Sequence, residues 1–356
     1  MPRPISAVIH LQNLTHNLSV IRQQVGAAKI WSVMKADAYG HGIKQVWQAL
    51  AATDGFAILD LNEAILLREE GWQGPILLLE GFFHPTDLLQ INHYKLTTAV
   101  HSTWQLDAIE QRVFDTPISV YVKLNSGMNR LGFKPEEYRQ VINRLLAMES
   151  VGNITLMSHF ANSDTQNGIE APHHLIKTLI DDNLSVCIAN SGATLWHPST
   201  HYDWVRSGII LYGASPSGKW QDIADKQLKA TMTLRSQIIA IHDINAGETI
   251  GYGSRFTAQQ PMKIATVACG YADGYPRHAP TGTPVWVKGE RCPLLGAVSM
   301  DMLTIDISHC STVNIGEEVE LWGQNLPIDD VAQCANTIGY ELMCALAKRV
   351  PIIYED

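Results

Sequence analysis

The sequence predicts an α/β chain in two parts: an N-terminal (β/α)8 TIM barrel and a C-terminal, mainly antiparallel β domain. Over the first ~225 residues, a usual size for such a barrel, a short apolar segment and a longer amphipathic stretch alternate. Eight such segments can be counted, and each is continuously apolar, which suits parallel strands covered on both faces. Beyond about residue 228 the texture becomes alternating and turn-rich, as in an antiparallel sheet.

Ile5, Ala7, Val8 and Ile9 open the chain as an extra strand outside the barrel, placed to join the C-terminal domain. Leu11, Leu14, Leu18, Ile21 and Val25 follow at three- and four-residue spacing, the stripe of an amphipathic helix. The barrel strands are read at residues 29–35, 56–59, 76–79, 96–100, 118–123, 154–159, 184–189 and 205–211. An open doubly wound sheet is the alternative, but no G-x-G-x-x-G turn follows the first strand to support it. In the second part, Leu303, Ile305 and Ile307 alternate with Thr304 and Asp306, and Val319 and Leu321 repeat the pattern. Asn245-Ala246-Gly247, Lys288-Gly289-Glu290 and Asn314-Ile315-Gly316 mark turns, and Tyr340 to Leu346 reads as a late helix. The expected domains are residues 1–228 and 229–356, residues 1–10 joining the second.

The 356 residues carry a net charge of −9, from 35 acidic and 26 basic side chains, with no dense Lys/Arg tract. Nucleic acid is therefore not an expected partner. No apolar run reaches the ~18 residues of a membrane span, so no membrane association is expected. The N-terminus lacks an apolar signal core, so the expected location is the cytoplasm. Cys187, Cys269, Cys292, Cys310, Cys334 and Cys344 form no C-x-x-C pair, so spacing suggests neither a metal site nor a redox motif.

The most informative segment is Val33-Met34-Lys35-Ala36-Asp37-Ala38-Tyr39-Gly40-His41-Gly42. Lys35 ends the apolar run Ile30-Trp31-Ser32-Val33-Met34, and Ile43, Val46, Trp47 and Leu50 then recur at helical spacing. An ammonium at the end of a buried strand is poorly placed for solubility. It is well placed for chemistry, because barrel enzymes keep their active sites at the C-terminal strand ends. A lysine there can form a Schiff base with an aldehyde cofactor. Tyr39, Gly40 and Gly42 suit close backbone approach and phosphate contact. A plain surface lysine is the competing reading.

This stretch closely resembles the cofactor-attachment segment of the alanine racemases, which use pyridoxal 5′-phosphate. The resemblance covers essentially the whole chain in domain order and motifs. It implies an enzyme that interconverts L-alanine and D-alanine by two-base proton transfer at Cα. Lys35 would hold the cofactor and act as the base on one face. Tyr252, in Glu248-Thr249-Ile250-Gly251-Tyr252-Gly253-Ser254, would act on the other face from the partner subunit of a homodimer. Taken alone, Tyr252 is a turn tyrosine. A lysine near its ordinary pKa of ~10.4 and a phenol near ~10 are poor bases at neutral pH, so both need help from their surroundings. His159, in Ser158-His159-Phe160, matches the position that contacts this tyrosine.

Arg206, in Trp204-Val205-Arg206-Ser207-Gly208-Ile209, matches the arginine facing the pyridine nitrogen. An arginine stays charged and leaves that nitrogen unprotonated, which weakens the ring as an electron sink and suppresses transamination. Taken alone, it reads equally as a barrel-end salt bridge. Tyr39, Ser191 and the amides of Gly208 and Ile209 match the phosphate ligands. Arg130, in Lys123-Leu124-Asn125-Ser126-Gly127-Met128-Asn129-Arg130, matches the arginine that holds the substrate carboxylate. Lys123 matches a lysine that is carbamylated in some members. Met300, in Ser299-Met300-Asp301, matches a partner-subunit residue near the carboxylate, and Tyr271 matches the narrow entrance. Two positions depart from the pattern: Asn125, where many relatives carry aspartate, and Lys348, where some carry a tyrosine that reaches the phosphate.

D-alanine so made would feed peptidoglycan, or would be degraded as a nutrient. The rival readings are a racemase of serine or lysine, a decarboxylase of related architecture, and a non-enzymatic cofactor carrier. The decarboxylase would not need Tyr252 as a second base. The carrier would be a barrel alone, and the C-terminal domain argues against it.

Overall fold

The computed structural model describes residues 3–165 and 167–356, which form two compact units. One comprises Leu18–Ala38 and Gly42–Leu211; the other comprises the chain up to Asn17, Tyr39–His41 and Tyr212 onward.

The first unit is an eight-stranded parallel sheet of Lys29–Val33, Gly55–Ile58, Ile76–Leu78, Thr97–Val100, Ile118–Lys123, Val151–Met157, Ser185–Cys187 and Trp204–Ser207. The first seven strands pair in succession, and the eighth pairs with the first in the register Lys29↔Trp204. A parallel bridge from Ala189 to Val205 closes the ring. All eight apolar segments therefore supply strands. Adjacent residues such as Phe56 and Ala57, or Leu77 and Ile76, are buried together, because one face packs inside the ring and the other meets helices. Trp31 stacks on Trp204 at 4.4 Å and donates its indole N–H to the Tyr121 hydroxyl at 3.0 Å. The polar edge of a buried ring is thereby satisfied.

The final segment differs from expectation. Residues 205–211 read as one strand, but the strand stops at Ser207 and Ile209–Tyr212 is a 3₁₀ turn. The Gly208 amide donates to Ser191 Oγ at 2.9 Å instead of to a ladder, while Ile209, Ile210 and Leu211 stay fully buried. Apolarity there reported burial, not extension.

The other unit holds a second eight-stranded sheet, mainly antiparallel. Ser6–His10 pairs with Met232–Ile244 and, in parallel, with Ile352–Glu355. The 13-residue strand Met232–Ile244 pairs with Ser6–His10 and Glu318–Trp322 on its two sides in its first half and with Met262–Val267 in its second, with register shifts along it. Lys288 and Gly289 join Pro284–Val287 to Glu290–Leu295 with φ of 48° and 92°. This two-residue loop has the twist that hairpins favour. Leu303, Ile305 and Ile307 are buried as their alternation predicts. Glu320 is buried between Val319 and Leu321, and its carboxylate accepts the Asn325 and Leu326 amides and the Asn325 side chain. Those bonds offset its desolvation. The late helix is Gly339–Cys344, and a second helix, Ile328–Cys334, precedes it. Its Asp329-Asp330 start hid it from the periodicity, yet Asp329 is buried and accepts the Ser215 amide at 2.9 Å.

Among the described residues no helix is long and apolar enough to cross a membrane.

Candidate active site

The segment after the first barrel strand runs in an unusual hand. Ala36, Asp37, Ala38 and Tyr39 have φ of 53–55°, and Gly40 has 75°. This is a left-handed turn, which costs L-residues roughly 1–2 kcal/mol each. It persists because the surroundings hold it. Ala38 N donates to Met34 O at 2.9 Å and Gly42 N to Asp37 O at 3.0 Å. Asp37 N donates to Glu63 Oε1 at 2.8 Å, and the Asp37 carboxylate accepts the Ile43 amide at 2.7 Å. A methyl group on Gly40 would lie 2.4 Å from Met343 O. His41 is fully buried, its ring nitrogens meeting Tyr39 O at 3.0 Å and Thr231 Oγ1 at 2.8 Å. Tyr39 is buried against Tyr212 at 4.5 Å, with Tyr340 at 5.9 Å. Burial pushes its phenol well above the ordinary value, so Tyr39 remains a proton-bearing donor.

Lys35, half-buried, lies between the strand and this turn. Around the ring of strand ends the barrel gathers further basic side chains. Lys123 ends its strand, His159 follows the next by two residues, Arg206 lies in the last strand, and Arg130 is on a loop. Arg206 is buried and donates to Cys187 O at 2.7 Å and Ser158 O at 2.6 Å. Its Nη2 also reaches His159 Nδ1 at 3.2 Å. Its partners are carbonyls, a thiol and an imidazole rather than a carboxylate, so it is not the salt bridge that a lone arginine would suggest. Burial first, then the fields of Arg206, Arg130, Lys123 and Lys35, hold His159 well below its ordinary pKa. Its ring is neutral at physiological pH. Lys123 is pushed down to about 8 by burial, then by Arg206 and Arg130, with Glu80 opposing. Arg130 is exposed and has no hydrogen bond or ion pair among the described residues.

The Asn125 departure has a local account. Asn125 Oδ1 accepts the Gly127 and Asn129 amides at 3.1 and 3.0 Å, as a carboxylate could. Its amide group also donates to Asn129 Oδ1 at 3.0 Å, which a carboxylate could not. Ser191 opens the helix Ser191–Trp196 and receives the Gly208 amide, so that amide is engaged. Next to it, Ser207 Oγ is buried with no hydrogen-bond partner among the described residues.

Tyr252 and Met300 belong to the other unit. Tyr252 is 79% exposed, in a turn between Gly251 and Gly253, and Met300 is 53% exposed. A methyl group on Gly251 would reach Ala297 O at 3.8 Å, so the two loops are neighbours. The Tyr271 and Ala272 amides donate to Ser299 O and Met300 O at 3.0 and 2.9 Å. Lys348 is exposed.

Several residues here carried no sequence signal. Asn190 Oδ1 takes Ser163 Oγ at 2.6 Å and caps the Ser191 helix, while its amide donates to Phe160 O at 3.2 Å. An Asn-Ser-Gly run reads as an ordinary turn until those partners are known. Asp273, fully buried, joins Arg3 at 2.9 Å and Arg349 at 2.8 Å, and both arginines also engage Asp301. These residues are too far apart in sequence for spacing to link them.

The model for "Alanine racemase, N-terminal domain" matches residues 9–216, and that for "Alanine racemase, C-terminal domain" matches residues 231–354. An alanine racemase of Erwinia tasmaniensis is 56% identical over 353 residues, 99% of each chain. The solved biosynthetic alanine racemase of Pseudomonas aeruginosa superposes with a TM-score of 0.95 at 40% identity, covering 99% of this chain and 100% of that one. The solved alanine racemase of Bartonella henselae, described with covalently bound pyridoxal phosphate, has a TM-score of 0.86 at 28% identity, over 99% and 100% of the two chains.

Proposed function

The chain belongs to the alanine racemase family, and on that premise we propose that it interconverts L-alanine and D-alanine using pyridoxal 5′-phosphate held at Lys35. It would work as a cytoplasmic homodimer, residues 1–228 holding the cofactor and residues 229–356 completing the partner's site. The observation that carries this reading is the cation cluster at the strand ends. Lys35, Lys123, Arg130 and Arg206 all act on His159, an excess of positive charge suited to an anionic ligand. Pyridoxal phosphate brings a phosphate and a phenolic oxygen, and alanine brings a carboxylate.

In this reading Tyr39, Ser191, Gly208 and Ile209 would hold the phosphate, the Gly208 amide leaving Ser191 Oγ for it, and Arg206 would face the pyridine nitrogen. When bound, the cofactor would supply an electrophilic carbon that Lys35 and the amino group of alanine hold in turn, and a ring that draws electrons from Cα. Arg206 can only donate, so it orients the ring without giving it a proton. The neutral His159 sits against Arg206 and is the group toward which Tyr252 of the partner subunit would turn. Arg130, without a hydrogen-bond or ion-pair partner among the described residues, takes the substrate carboxylate. Lys35 removes or returns the Cα proton on one face and Tyr252 does so on the other. The high exposure of Tyr252 and Met300 suits residues that complete a neighbour's site. Enantiomers have equal free energy in water, so the same site serves supply or consumption of D-alanine.

Tyr252→Phe tests the assignment. Turnover is expected to fall by ~10²–10⁴, the usual weight of one general base, while the absorbance of bound cofactor remains. Full turnover in the variant would sink the two-base reading. Mixing Lys35→Ala with Tyr252→Phe protein should restore activity in hybrid dimers, where one of the two sites keeps both bases. No restoration would sink the shared-site reading.

A further inference from the structure

Fold and alanine chemistry leave one cluster in the second unit unused. Cys292 lies in the strand Glu290–Leu295, opposite Val285 of the preceding strand. His309 and Cys310 lie in the turn after the strand Leu303–Asp306, which Cys310 N closes onto Ile307 O at 3.0 Å. The two sulfurs are 3.2 Å apart. An imidazole nitrogen of His309 and both sulfurs fall within 4.8 Å of one another. Cys292 is fully buried, Cys310 is partly buried and His309 is exposed, so the set opens outward. Glu290 shares a strand face with Cys292, two residues away, and its Oε2 is 3.4 Å from His309 Nε2.

From this juxtaposition we propose that Cys292, Cys310 and His309 form a binding site for a thiophilic divalent cation, zinc(II) in the first instance. Two thiols and an imidazole are the donor set zinc favours over magnesium or calcium. Three ligands leave a fourth position for water or the Glu290 carboxylate, which otherwise orients the histidine from outside. Glu290 and Asp306 act electrostatically on both cysteines, a field that attracts a cation. Tetrahedral coordination at a Zn–S distance of ~2.3 Å sets sulfurs about 3.7 Å apart, which side-chain rotation reaches from the present separation. On binding, two S–H bonds break, two metal–sulfur bonds form, and two protons leave to solvent. A disulfide would use the two sulfurs alone and leave His309 and the carboxylates without a part. No C-x-x-C spacing announces this site, because sheet pairing brings the residues together. The proposal stands independently of the racemase reading.

The test adds cobalt(II), and separately zinc(II), to the full-length reduced protein with its cofactor. The expected results are a thiolate-to-cobalt charge-transfer band, one zinc retained per chain after dialysis, and two protons released per zinc. His309→Ala should weaken affinity by more than the ~10–100-fold that losing only an outer partner of a ligand costs. Cys310→Ser should abolish the charge-transfer band. Both changes lie near the surface, and circular dichroism checks that the variants fold. Absence of the band in the wild-type chain would overturn the proposal. So would variants that bind as tightly as wild type, or a purified protein whose Cys292 and Cys310 are already joined as a disulfide.

Discussion

Arg206 Nη2 donates to His159 Nδ1 across 3.2 Å, so the histidine must present a lone pair there and remain neutral. Burial first, then Arg206, holds its pKa well below 6.5. In the unfolded chain the ring titrates normally. As pH falls below about 6.5 the unfolded state takes up a proton that the folded state refuses, so stability falls. His159→Gln is expected to flatten the acid limb of the Tm–pH curve between about pH 6.5 and 5. Part of the slope should remain, since His10, His101, His173 and His201 are also held low by burial. An unchanged slope in a Tm series by calorimetry would refute the assignment.

Gly40 answers to backbone geometry rather than chemistry. Its φ of 75° and the 2.4 Å approach of Met343 O leave no room for a methyl group. Gly40→Ala is expected to cost about 1–3 kcal/mol from overpacking, added to left-handed strain. Ala36→Gly, exposed and at φ 55°, is the contrast. It removes roughly 1–2 kcal/mol of left-handed cost and returns about 0.4–1 kcal/mol of unfolded-chain entropy, so stability should hold or rise slightly. Urea titrations of the two variants separate these outcomes.

Asp273 gathers two arginines from opposite ends of the chain. Its side chain is fully buried, while Arg3 and Arg349 are each about 40% exposed. Asp273 also accepts the Gly270 amide at 2.9 Å, and Arg349 continues to Asp301 at 2.7 Å, so the network fixes the loops carrying Tyr271 and Met300. Asp273→Asn is expected to destabilise the fold by about 2–3 kcal/mol, less than a fully buried pair because water screens the arginines. If those loops line the substrate pocket, KM for alanine should rise more than kcat falls. A change in stability with KM untouched would confine Asp273 to a structural role.

The sequence by itself determined the fold class and the family. Eight continuous apolar runs specified strands buried on both faces, because a parallel ring covered by helices exposes neither face to water. Lys35 stood out by its position at the end of such a run, whereas Arg206 and His159 were singled out by the family resemblance. Turn residues and alternation specified the second sheet. What tertiary structure decided lies where local preference and global packing disagree. Ala36 to Tyr39 would be right-handed in isolation, and only the contacts holding them enforce the opposite hand. Residues 209–212 look like strand because burial, not extension, selects apolar side chains. Asp273 with Arg3 and Arg349, and Cys292 with His309 and Cys310, meet through sheet pairing across long stretches of chain. Such meetings leave no period in the sequence, since distance along the chain carries no information about which strands become neighbours.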